Sequence, residues 1–169
     1  MLSGMIRTAI LTVSDKGAAG ERDDTTVDGV RALLKDGFTE VAYTVVPDEA
    51  EEVQAQLKTW ADSGEVDLIL TTGGTGLAPR DRTPEATRGV LEFEVPGLAE
   101  MMRAEGVKKN PKAALSRGLV GARGETLIVN LPGSPKGAKE SLEAILEVIP
   151  HAVDTLKAEK ENAPEDWHQ

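Results

Sequence analysis

The chain has 169 residues, enough for one domain with a proper core, and 40% of them are hydrophobic. Its net charge of −10 argues against the broad basic face of a non-specific nucleic-acid binder, although a local cluster of basic side chains and N–H groups can still hold an anion. With no cysteine, disulfides, thiolate metal sites and cysteine nucleophiles are excluded, and the two histidines (His151 and His168, both near the C-terminus) disfavour a Ser-His-Asp site.

In chain order, Ile6–Ser14 (IRTAILTVS) is a compact apolar run that reads as a buried strand. Arg7 interrupts the N-terminal apolar segment, no small-residue cleavage site follows, and no run approaches the ~20 residues of a membrane span. The expected setting is therefore cytoplasmic, without membrane contact. Asp15–Asp24 reads as a charged, glycine-containing loop. Thr25–Gly37 places Val27, Val30, Leu33 and Leu34 on one helical face and ends on a glycine. Phe38–Val46 is rich in β-branched residues and predicts a second strand, closed by Pro47. A helix follows Asp48, with Val53, Leu57 and Trp60 at helical spacing. Val66–Thr72 predicts the third strand.

A short helix is expected from Thr83 to about Leu91, and another from Leu98 to Gly106. Lys109–Gly118 carries mixed signals. Leu119–Leu131 predicts two strands around Gly124, Pro132–Gly137 a turn, and Ala138–Lys157 a helix that Pro150 kinks or breaks. Strands alternating with helices predict an α/β fold with a mostly parallel sheet covered on both faces. A single domain over residues 1–157 and a charged tail over 158–169 are expected. In such sheets ligands bind beyond the carboxyl ends of strands, here after Val13, Val46, Thr72 and Leu131.

The densest signal lies in Thr71–Thr87, TTGGTGLAPRDRTPEAT. Gly73, Gly74 and Gly76 directly follow a strand and let a ligand approach the backbone, while Thr75 adds a hydroxyl. Thr83 fits a helix N-cap with Pro84 at the first helical position, so the positive end of a helix can also face a phosphate. The segment is not a P-loop, since no lysine stands at the required spacing. It is not a dinucleotide fingerprint either, since Pro79 occupies the position that needs Gly or Ala. A plain tight turn is the alternative.

Each charged candidate has a structural and a functional reading. Asp81, between Arg80 and Arg82, is either part of a solvated turn or a carboxylate that carries Mg²⁺ to a phosphate. Asp48 fits a helix N-cap, with Glu51 at the capping-box position, and also sits at a strand end facing the expected cleft. Ser14 and Asp15 are a turn pair or a site pair. Ser116 and Arg117, in LSRG, are a turn and a surface ion or a planar anion contact. In NLPGSPKG, Asn130, Pro132, Gly133, Ser134 and Pro135 shape a turn whose N–H groups, with Lys136, can face an anion. Glu94 has only a weak local signal.

Taken together, LTVSD, VPDE, LTTGGTGLAPRDRTPEAT, EVPGLAEMMR, ALSRG and VNLPGSPKGAKESLEAI occur in an order and spacing that resemble the MogA/MoaB family of molybdopterin adenylyltransferases, also seen as a domain of gephyrin-type proteins. The resemblance runs from about Ile6 to Leu156. It implies a three-layer α/β/α domain, a homotrimer, binding of molybdopterin, and Mg-ATP-dependent adenylylation of the molybdopterin phosphate with release of pyrophosphate. Asp48 and Asp81 match the family's two acidic positions tied to catalysis and are assigned to Mg²⁺ and ATP positioning. Ser14, Asp15, Thr72, the glycine loop through Pro79 and Arg80, Glu94, Ser116, Arg117 and the Asn130–Lys136 loop match the ligand pocket. Phe93 stands where many relatives carry a basic residue, and is either a lost anion contact or a core substitution.

The chemistry fits these residues independently. A phosphate nucleophile is already ionised at neutral pH, so alignment and charge neutralisation are needed rather than a histidine base. The alternatives are a molybdopterin carrier or accessory protein with little catalysis, and a scaffolding domain. Transient contact with other cofactor-biosynthesis proteins is compatible with each.

Overall fold

The computed structural model describes residues 4–21 and 24–158. In chain order the elements are β1 (Ile6–Val13), α1 (Asp15–Ala18), α2 (Thr25–Leu33), β2 (Phe38–Val46), α3 (Ala50–Asp62), β3 (Leu68–Thr72), α4 (Thr83–Arg88), β4 (Phe93–Glu94), α5 (Pro96–Lys109) and β5 (Val120–Arg123). β6 (Thr126–Leu131), α6 (Pro135–Ile145) and α7 (Ile149–Lys157) complete the chain, and a 3₁₀ turn spans Pro111–Leu115. One six-stranded sheet has the order β2-β1-β3-β6-β5-β4. The pairs β1–β2, β1–β3 and β3–β6 are parallel, and β5 runs antiparallel to both β6 and β4.

The period of two along the central strands builds the three layers. Ile6 and Ile10 of β1, Leu68 and Leu70 of β3, and Leu127, Val129 and Leu131 of β6 point to one face. There they meet Val27 and Val30 of α2, Leu98 and Met102 of α5, Leu142 and Ile145 of α6, and Ile149 and Val153 of α7. Ala9, Leu11, Val13, Ile69 and Ile128 point to the other face, against Val53 and Leu57 of α3 and Ala86 of α4. Few aromatics are needed because branched aliphatics fill both layers. The three-layer α/β/α architecture with a mostly parallel sheet is as expected from the sequence.

Local boundaries differ where side chains found other partners. Ser14 caps a one-turn helix, its Oγ accepting from Gly17 N at 3.0 Å, where a loop was expected. Residues 93–94 form a short edge strand, because Glu92 N and Val95 N donate to Ala122 O and Val120 O across β5. The long C-terminal helix is two helices: α6 ends at Ile145 and Pro150 enters the first turn of α7, where its missing N–H costs nothing. The charged-tail expectation for 158–169 falls, from residue 159 onward, outside the described residues. No helix of the described residues is long and apolar enough to cross a membrane.

Candidate active site

The carboxyl ends of β1, β3 and β6 open into a cleft of about 800 Å³. Its floor is Gly73 and Gly74, which adopt φ of 95° and 70°. A Cβ on Gly73 would strike the Val13 carbonyl oxygen, and one on Gly74 the Thr83 hydroxyl, so both positions require glycine for conformation and for space. The turn is fixed by Gly73 N donating to Leu131 O and Thr83 N donating to Gly74 O, both at 3.1 Å.

Two carboxylates, from the loops after β2 and β3, lie close to this floor. Asp48 is not the helix cap that its sequence position suggested: α3 begins after Glu49, which makes no side-chain cap bond. Asp48 instead pairs reciprocally with Asp15, its N donating to Asp15 Oδ1 and its Oδ2 accepting from Asp15 N, each at 3.0 Å. Its other oxygen, Oδ1, lies 3.4 Å from where a Gly74 Cβ would stand. Asp81 Oδ2 accepts from Ala78 N at 3.0 Å and lies 2.9 Å from where a Gly76 Cβ would stand. Each acid is thus anchored through one oxygen to a backbone amide, and both residues line the cleft.

The charges around them are unevenly matched. Arg80 forks onto Asp15, Nε to Oδ2 at 2.6 Å and Nη2 to Oδ1 at 3.0 Å, and also reaches Glu49 Oε1 at 2.9 Å. That guanidinium holds the Asp15 carboxyl below its ordinary range. Burial pushes the Asp48 carboxyl up, opposed by the Asp15 amide, and the nearby negative charges of Asp15 and Asp81 raise it further. A cation brought between Asp48 and Asp81 would relieve this repulsion. Among the described residues no group of three His, Cys, Asp or Glu can hold a metal alone. Two carboxylates suit Mg²⁺, which keeps waters and substrate phosphate oxygens in its remaining positions. The donor set therefore fits.

Helix amino ends also line the cleft. α2 and α6 present their amino ends through Thr25, Thr26, Gly133, Ser134 and Pro135, and Thr26 Oγ1 donates to Gly133 O at 2.9 Å to tie the two helices together. Asp24 caps α2 and lines the cleft, while accepting from the hydroxyls of Thr12 and of Tyr43, the latter at 2.6 Å. This residue and Thr12 were missed in the sequence; an Asp immediately before TTVDGV is an N-cap signal that would have found the first. Ser134, the N-cap of α6, also borders a second cavity of about 250 Å³, lined by Arg103, Asn110, Lys112, Ser116, Pro132 and Lys136 among others.

The remaining candidates divide. Ser14 and Thr72 line the larger cleft. Thr75 is buried, and its carbonyl accepts from Arg117 N at 2.8 Å. Pro79 is an exposed residue at the loop tip. Asn130 is buried and uses its amide internally, Oδ1 accepting from Leu119 N and Nδ2 donating to Thr71 and Thr87 hydroxyls. Arg117 holds backbone: Nε donates to Gly76 O at 2.9 Å and Nη2 to Asp81 O at 2.8 Å, while Nη1 pairs with Glu85. Glu94 lines neither cavity and pairs with Arg88 at 3.4 Å on the edge strand. Phe93 is 53% exposed, so it is not a core substitution. The Thr83 cap expectation shifts by one residue: Arg82 is the N-cap and Pro84 the second helical residue.

Known proteins resemble this chain in sequence and in fold. The family described as "Probable molybdopterin binding domain" matches residues 9–151. The chain belongs to this molybdopterin-binding family. The molybdopterin biosynthesis enzyme MoaB from Thermus thermophilus is 61% identical with a TM-score of 0.87, over 92% of this chain and 98% of that one. A molybdopterin adenylyltransferase of Helicobacter pylori is 39% identical over 89% of this chain and 88% of its own. The Drosophila melanogaster molybdenum cofactor synthesis protein cinnamon is 47% identical over 89% of this chain, which spans only 26% of that longer protein. Membership places the chain in molybdenum cofactor biosynthesis.

Proposed function

We propose that the chain transfers the adenylyl group of ATP to the terminal phosphate of molybdopterin and releases pyrophosphate. The observation that carries this reading is the pair Asp48 and Asp81, each anchored through one oxygen and lining one cleft with a glycine floor and two helix amino ends. In the reaction a phosphate oxygen of molybdopterin attacks the α-phosphorus, the bond from that phosphorus to the α–β bridging oxygen breaks, and the electron pair leaves on pyrophosphate. No proton needs to be removed from the nucleophile, which accords with a cleft that no histidine lines among the described residues.

Mg²⁺, when bound, neutralises charge developing on the ATP phosphates. The chain's own residues do the rest. Asp48 and Asp81 would hold the cation, and the Gly73–Gly74 floor lets phosphates approach the backbone. The amino ends of α2 and α6 orient the second polyanion. Asp15 and Arg80 hold Asp48 in place rather than touching the reacting atoms. A homotrimer and a cytoplasmic setting belong to the same reading, and light scattering of the purified protein checks the first.

The test is to incubate the protein with molybdopterin and Mg-ATP and follow adenylylated molybdopterin and pyrophosphate. Stoichiometric binding of molybdopterin without either product would favour a carrier instead.

A further inference from the structure

We propose that Arg117 is a positioning residue for Asp81, acting through the glycine loop, and not a direct ligand of the substrate anion. The inference deepens the adenylyl-transfer reading and rests on it for its kinetic arm.

An arginine in a phosphate-handling site is ordinarily assigned to the phosphate, because its fork matches that geometry. Here the fork is already engaged. Nε donates to Gly76 O at 2.9 Å, Nη2 to Asp81 O at 2.8 Å and Nη1 to Glu85 Oε1 at 2.5 Å, and Arg117 N donates to Thr75 O at 2.8 Å. Three of these bonds clip the start and the end of the segment 75–81, and the fourth ties the guanidinium to α4. Between those clips the chain bulges out through exposed Leu77, Ala78 and Pro79. Asp81 sits at the end of that bulge, and its carboxylate faces the cleft. Arg117 grips the Asp81 carbonyl, whereas the Asp81 carboxylate accepts from the amide of Ala78, itself within the bulge. Without Arg117 that carboxylate would move with the loop.

The brace is itself braced. Arg103 Nη1 donates to the carbonyls of Ser116, at 3.3 Å, and Gly118, at 3.0 Å, holding both neighbours of Arg117 from α5. Glu85 fixes the far side of the guanidinium from the first turn of α4. Neither cavity counts Arg117 among its lining residues.

Arg117→Lys tests the proposal, because lysine can keep the charge near Glu85 but cannot bridge Gly76 O and Asp81 O. The expected result is a fall of about 10–100-fold in kcat, a rise of about fivefold in half-saturating Mg²⁺, and a KM for molybdopterin within about twofold of wild type. Amide hydrogen exchange in residues 75–83 should speed up about tenfold or more while the rest of the fold keeps its protection. Glu85→Gln should move the same readings in the same direction by less. Arg123→Lys is the control: Arg123 forks onto Asp62 and holds Val90 O, away from the cleft, and its loss should leave loop exchange and Mg²⁺ dependence unchanged.

A raised KM for molybdopterin or ATP with unchanged loop exchange would make Arg117 a direct ligand and overturn the proposal. So would unchanged kcat, or acceleration of exchange spread evenly over the whole fold. A wild-type protein that transfers nothing would sink the adenylyl-transfer reading instead, and the exchange measurement alone would then decide the role of Arg117.

Discussion

Two ionic clusters sit at the two ends of the same sheet, and they are built on different terms. At the amino end, Asp67 precedes β3 and is 1% exposed. It accepts from Arg7 N at 2.8 Å, from the Arg7 guanidinium at 2.9 and 3.1 Å, and from Lys157 Nζ at 2.7 Å. Burial opposes its charge, but the hydrogen bonds from Arg7 and Lys157 win and hold its carboxyl at about 2. At the carboxyl end, the one forked arginine, Arg80, is taken by Asp15 and Glu49, Asp48 and Asp81 have backbone amides instead, and burial pushes Asp48 up. A buried acid with two cations joins α7 to the sheet and stabilises the fold. Acids left short of cations cost stability, and that deficit is what a metal–phosphate complex can fill.

The largest expected effect lies at the amino end. Asp67→Ala leaves Arg7 and Lys157 without their shared partner and should cost about 3 kcal/mol in urea unfolding, with kcat for adenylyl transfer unchanged. Next comes Asp81→Asn, which should lower transfer by about 100-fold or more while molybdopterin binding and the thermal midpoint stay close to wild type. Normal turnover in that variant would end the assignment of Asp81 to the cation and remove the functional half of the contrast.

Acid provides a smaller effect with a defined sign. The Asp67 carboxyl is depressed from 3.8 to about 2 in the fold, so its stabilisation is complete above 3.8 and is lost as pH falls towards 2. That loss should amount to roughly 2 kcal/mol, read as a steepened fall of unfolding free energy over this window, and Asp67→Asn should remove the steepening. The smallest stability effect belongs to Arg80→Ala. Its ion pairs with Asp15 and Glu49 are more than half exposed on the arginine side, so the thermal midpoint should barely move. Transfer should nonetheless fall, with more Mg²⁺ needed for half-saturation, since Asp48 loses the support that Asp15 gives it. A large drop in stability without a kinetic effect would erase the distinction between the two ends.

Much of the fold was legible because β1, β3 and β6 alternate side chains between two apolar layers, and the helices carry matching stripes. The glycine loop was legible too, since Gly73 and Gly74 stand where no other residue fits. Local pattern failed where a side chain had a choice of partners. Asp48 carries every mark of a helix cap, yet Asp15, 33 positions earlier, offers it an amide and takes its own in return. Arg117 reads as an anion contact until the carbonyls of Gly76 and Asp81 close around it. Asp24 reads as the end of a charged loop until Thr12 and Tyr43 meet it across the sheet.

Sequence by itself determined the α/β alternation and the glycine floor of the cleft, which follow from periodicity and from steric demands that act within a few residues. Asp48 and Asp81 were singled out as a pair by the resemblance to a known family, because their local sequence reads equally well as cap and turn. Only the tertiary structure decided which oxygen of each acid is tied, which arginine grips backbone and which grips carboxylate, and where Glu94 and Phe93 lie. Hydrogen bonds between residues tens of positions apart are selected by the packing of the sheet, and no local pattern encodes which of several competent partners comes within bonding distance.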